Sequence, residues 1–144
     1  MTSVEFHFNA PDKVGYACRL LRKAFRQGAK LVVTGEPALL RELDTALWTF
    51  SALEFIPHCY GAAGGTAVLA ASPVVLSDSA PTAPHQQVLV NLGAAVPEGF
   101  ERFERLIEVV TVDLADRQLG RRRWKHYAAR GYAIAERNRA QEAT

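Results

Sequence analysis

The chain has 144 residues, 49% of them hydrophobic and 22% charged, which is the size and composition of one domain with a real core. No apolar run approaches the ~20 residues needed to cross a bilayer, and the opening MTSVEFHFN lacks the basic-then-apolar layout of a secretory leader, so a bacterial-type cytosolic chain is expected. The formal charge of +2 conceals an asymmetry: residues 117–144 hold eight Lys/Arg against Glu136 and Glu142, net +6, whereas residues 1–116 hold nine against thirteen Asp/Glu, net −4.

In chain order, Val4, Phe6 and Phe8 alternate with Glu5 and His7, the period of a first strand. Residues 9–12 then start a helix, with Pro11 in its first turn. Val14, Ala17, Cys18, Leu21, Ala24 and Phe25 form its apolar stripe, opposite Arg19, Arg22, Lys23 and Arg26. Gly28 closes it. The short apolar run Leu31-Val32-Val33 reads as a parallel strand buried on both faces. Pro37 opens a second helix with an inward stripe of Leu40, Leu43, Leu47 and Phe50. Trp48 leaves that stripe and falls in line with Arg41 and Asp44 on the polar side, where an indole marks a contact surface.

Residues 55–58 read as a loop, followed by the glycine-rich stretch 61–65. Residues 66–71 and 73–76 are expected to form a strand and its continuation, 78–87 a mobile loop, and VLVNL (88–92) another buried strand. Residues 99–103 form one turn of helix held by Phe100 and Phe103. LIEVVTV (106–112) is the last expected strand, with Asp113 as the cap of a final helix. In that helix Gly120, Trp124, Tyr127/Ala128 and Gly131 share a face, and Arg117, Arg121 and Lys125 step by four along its edge. An aromatic ring set among cations suits an anionic partner that also carries apolar surface: nucleic acid, a membrane surface or an acidic peptide. The order β-α-β-α-β-β-β-α predicts an α/β fold with a mostly parallel central sheet across residues 1–132. Residues 133–144 lose the apolar pattern and are expected to fray.

Catalytic chemistry is not encoded in any recognisable pattern. The first strand–helix turn, Asn9-Ala10-Pro11-Asp12-Lys13, has no glycine, and neither GxGxxG nor GxxxxGK[ST] occurs there, so no phosphate-cradling loop is expected. Cys18 and Cys59 give no disulfide framework and no metal-ligand spacing. His58-Cys59 would point to opposite sides of a strand and is assigned a structural role at a loop edge. His7, His85 and His126 stand alone, and Glu101, Glu104 and Glu108 read as a solvated face. No catalytic residue, cofactor or metal is expected.

The opening FHFN, LDTALWTF followed by FIPH, VLVNL, and FERLIEVV leading into GRRRWKHYAARGY occur in an order and spacing that resembles the chi subunit of bacterial DNA polymerase III, over nearly the whole length. The resemblance implies a Rossmann-like three-layer fold without nucleotide binding, and a non-catalytic adaptor of the clamp loader. It further implies a site for the acidic, Phe-terminated tail of single-stranded DNA-binding protein at Arg121, Trp124 and Lys125, with Arg117 and, as apolar wall, Val112. A second surface, Trp48 with Phe55, is implied to bind the psi subunit or a helicase partner. The rival readings are a direct single-stranded nucleic-acid binder using the basic helix as a stacking and phosphate surface, and a nucleotide hydrolase on the same sheet, which lacks a phosphate loop.

Overall fold

The computed structural model describes residues 2–49, 58–60, 73–77 and 86–138. Their elements run β1 (Ser3–Ala10), α1 (Lys13–Arg26), β2 (Leu31–Thr34), α2 (Pro37–Thr49), β3 (His58–Tyr60), β4 (Val74–Leu76), β5 (Val88–Asn91), a 3-10 turn (Phe100–Arg102), β6 (Arg105–Thr111), α3 (Leu114–Ala129) and β7 (Ile134–Asn138). The strands form one seven-stranded sheet in the order β3-β4-β2-β5-β6-β1-β7, and every described pairing is parallel. The expected Rossmann-like α/β architecture is therefore present.

Strand alternation sorts the core into two layers. Leu31, Val33, Val88, Val90, Ile107 and Val109 turn to the side of α1 and α2, joining Ala17, Leu21, Leu40, Leu43 and Leu47. Val32, Leu89, Leu106 and Val110 turn the other way, joining Val4, Phe6, Phe100, Phe103 and Tyr127 beneath α3. Burial on both faces explains why the central strands read as unbroken apolar runs. Asp12 caps α1 by accepting from the Gly15 amide at 3.1 Å, so Pro11 lies just outside the helix rather than in its first turn.

Two expectations are corrected. The segment expected to fray contains β7, which pairs with β1 from Val4↔Ile134 to Phe8↔Asn138 and becomes the sheet edge. Its side chains are mostly exposed, so burial leaves no apolar pattern to read. The loop expected through residue 58 instead gives way to β3, which pairs with β4 at the opposite edge. The expected strand at 66–71, the glycine stretch 61–65, loop residues 78–85 with His85, and Phe50, Phe55 and the Cys59 side chain lie outside what is described.

Candidate functional site

The basic helix is fixed at its start by carboxylates. Asp113 caps α3 by accepting from the Asp116 amide at 3.0 Å. Asp116 in turn accepts from the Thr111 amide (2.8 Å) and hydroxyl (3.0 Å) and pairs with Lys13 Nζ at 2.9 Å, tying α3 to the end of β6 and the start of α1. Burial works to raise the Asp116 carboxyl, but the Thr111 amide and Lys13 outweigh it and hold the group below its ordinary range.

Along α3, Gly120, Arg123 and Tyr127 face inward. A Cβ on Gly120 would sit 2.8 Å from Val110 Cγ2, so only glycine lets the helix lie this close to β6. Arg123, 2% exposed, donates from Nε to Glu108 Oε1 at 2.9 Å and from Nη1 to the Ala94 carbonyl at 3.0 Å. Tyr127 donates its hydroxyl to Glu108 Oε2 at 2.5 Å, and Asn91 Nδ2 donates to both carboxylate oxygens. Burial pushes the Glu108 carboxyl up, opposed first by Arg123, while burial and the neighbouring carboxylate push the Tyr127 hydroxyl up. Glu108 is thus a buried anchor and not part of a solvated face. Gly131 lies just past the helix at a φ of 79°.

Of the face expected for Gly120, Trp124 and Tyr127, Gly120 and Tyr127 are buried, and Trp124 lies at its exposed edge. Arg117, Arg121, Trp124 and Lys125 occupy the flank of α3 and are exposed, Trp124 by 39%. Together they line a concavity of about 330 Å³, with Phe6, Phe8, Val110 and Gly120 contributing further lining and Asn9 and Glu136 on the β1–β7 side. Phe6 and Phe8 reach it because they share a face of β1. Asn9, in the left-handed region at φ 61°, sits where the β1–β6 register shifts between His7 and Ala10. Such a bulge re-aims side chains beside a site. Four of the five residues expected at this site therefore converge. Val112 does not line it and is 54% exposed, because β6 ends at Thr111 and the last residue of the strand facing α3 is Val110, which takes the wall position. Glu136 carries no local signal in the sequence, because it reaches the site only through the pairing of β7 with β1.

At the far edge of the molecule, Trp48 is 60% exposed at the end of α2, as its departure from the apolar stripe predicts. Its ring lies edge-on to the His58 ring at 5.1 Å, and His58 Nε2 is 3.1 Å from Asp44 Oδ1. His7, which stands alone in the sequence, is buried between the Tyr16 hydroxyl (2.5 Å) and Glu5 (2.8 Å).

Residues 1–135 match the family described as DNA polymerase III chi subunit, HolC. The chain belongs to the chi family. It is similar to DNA polymerase III subunit chi of Pseudomonas aeruginosa, 32% identical over 141 residues covering 94% of this chain and 96% of the relative. The chi subunit of Haemophilus influenzae is 27% identical over 124 residues, covering 85% and 84% of the two chains. That of Escherichia coli K12 is 27% identical over 121 residues, covering 81% and 79%. The family is named as a subunit of the polymerase, in agreement with the expectation of a non-catalytic chain. Among the described residues, no group of three or more His, Cys, Asp or Glu is placed to hold a metal ion.

Proposed function

We propose that this chi chain links the clamp loader to single-stranded DNA-binding protein by gripping the acidic, Phe-terminated C-terminal tail of that protein in the pocket on α3. The observation that carries this reading is the convergence of Arg117, Arg121, Trp124 and Lys125 on one apolar-floored concavity. A volume of about 330 Å³ lies at the small end of ligand sites and suits a single aromatic side chain with its terminal carboxylate. Burying a Phe side chain contributes roughly 1.5–3 kcal/mol, and each charge-assisted hydrogen bond to the carboxylate roughly 1.5–3. Micromolar affinity requires about 8 kcal/mol after ordering costs. The ring alone does not reach it, and neither does one cation; an aromatic wall with three cations does.

Isothermal titration with a short acidic peptide ending in Phe, against the same peptide lacking that residue, tests the reading. The full peptide should bind and the truncated one should be at least tenfold weaker, with affinity falling as salt rises. Equal affinity for the two would refute the pocket as a terminal-Phe site.

The exposed indole of Trp48 favours a second reading, a docking surface for psi or a helicase partner formed with Phe55. Trp48→Ala should abolish co-purification of that partner and leave tail affinity unchanged. Direct stacking of nucleic acid on α3 is less well supported, since Trp124 is the only aromatic that the helix itself gives to the pocket and offers a strand no track.

A further inference from the structure

The opposite side of the sheet carries a second cationic concavity, larger than the first. Where β2 and β5 turn Leu31, Val33, Val88 and Val90 toward α1 and α2, the β6–β1–β7 end of the same face presents Arg105, Glu5, His7 and Arg137. The cavity between this polar end and α1 measures about 910 Å³. Glu5 is its one carboxylate among the lining residues, and that oxygen pair is already engaged: Arg105 donates to Oε2 from Nε (3.0 Å) and Nη2 (2.8 Å), Arg137 donates to Oε1 at 2.6 Å, and His7 lies 2.8 Å from Oε1.

Two guanidiniums on one carboxylate leave this bank with a positive excess. Both remain open to solvent, Arg105 by 45% and Arg137 by 54%. Facing them, α1 adds Arg19, Arg22, Lys23 and Arg26 to the lining. The Nε of Arg19 is shielded from solvent and has no hydrogen-bond partner among the described residues. Cations therefore line both banks of an open trough. Helix-end electrostatics account for Lys23 and Arg26 in the last turn of α1, but not for Arg19 one turn earlier or for the guanidiniums on the strands.

We infer that the groove between α1 and the β6–β1–β7 strands seats the sugar–phosphate backbone of single-stranded DNA. Charge complementarity argues for a linear polyanion, since cations spread over two turns of α1, with a further pair on β6 and β7, match a chain of phosphates better than one compact anion. DNA is the polyanion at which a polymerase subunit works. The concavity lies between a helix and a sheet, a curved path that a flexible single strand can follow and a stiff duplex follows only at a bending cost. Its lining includes no exposed aromatic platform, because Tyr16 is buried edge-on against His7. Contact is thus with phosphates, and binding is indifferent to base sequence and strongly salt-dependent. This inference does not rest on the tail pocket, which lies on the other face.

The test is fluorescence anisotropy with a labelled thymidine oligonucleotide and the full chain at about 50 mM salt, comparing parent, Arg19→Glu/Lys23→Glu and Lys23→Glu alone. Lys23 is exposed, so the single variant keeps the test valid if the double variant does not fold. Lys23→Glu should bind several-fold more weakly and the double variant at least ~10-fold, with the salt slope shallower by roughly 0.7 for each phosphate no longer neutralised. Both should keep the tail-peptide affinity of the parent, so a failure here is separable from a failure of the α3 reading. Unchanged oligonucleotide affinity in Lys23→Glu and the double variant would overturn the inference. So would binding that is abolished in Arg121→Glu but not in the groove variants, or poly-glutamate displacing the oligonucleotide as well as unlabelled DNA does at equal charge concentration.

Discussion

Arg121 and Arg123 are two residues apart on one helix and have opposite fates. Arg123 is 2% exposed and locked to Glu108, whereas Arg121 stands in solvent beside Trp124. The inward face of α3 uses its cation to hold the helix down; the outward face keeps its cations available. Net charge along a helix therefore overstates what a partner meets, because a buried pair contributes position and no attraction. The close approach permitted by Gly120 and the Glu108 network together set the depth at which Trp124 rests beside Phe6 and Phe8.

If this division holds, inward substitutions change stability and outward ones change binding. The largest effect belongs to Arg123→Ala, which strands a buried carboxylate and should cost about 3–5 kcal/mol in urea unfolding. Tyr127→Phe removes one donor to the same carboxylate and should cost roughly 1.5–3 kcal/mol, again with tail affinity intact in the folded fraction. On the outward face, Arg121→Ala or Trp124→Ala should weaken the tail peptide by roughly 2 kcal/mol while leaving the unfolding midpoint in place. A stability loss without a binding loss in these two would erase the distinction between the faces.

Glu5 provides a contrast in pH. Burial acts to raise its carboxyl, but His7, Arg105 and Arg137 overcome this and hold it at about 2, down from 4.5. Its contribution is thus fully present above about 4.5 and is lost as pH falls toward 2, and Glu5→Gln should flatten that acid limb in pH-dependent unfolding. The smallest effect is expected for Val112→Ala, within about 0.5 kcal/mol in both stability and tail affinity. A loss near that of Trp124→Ala would return the wall position from Val110 to Val112.

Elements with strong local periodicity are legible from the residues alone: both stripes of α1 and α2, the β2 and β5 runs, the Asp113 cap and the turn at Phe100. Trp48 is legible as an outlier for the same reason. What cannot be read depends on partners distant in sequence. Glu108 sits inside an apolar run, and nothing near it signals that Arg123, fifteen residues later, will neutralise it. His7 gains its neighbours through strand alternation and the first turn of α1. β7 has one residue of intermediate burial, Ile134, and takes its place from a strand at the other end of the chain. Of the five tail-site residues named by family resemblance, four converge where α3 meets the sheet, and Val112 gives the wall to its neighbour two positions earlier.

That final strand works as a party wall. Glu136 borders the α3 concavity and Arg137 the α1 groove, so five residues added after the last helix serve rooms on both sides. It also covers the backbone of β1, whose Val4, Phe6 and Phe8 would otherwise lie along a raw sheet margin. A chain cut after Tyr132 would exchange a charged, self-limiting border for a sticky one, and clumping during expression would reveal the loss before any binding assay did.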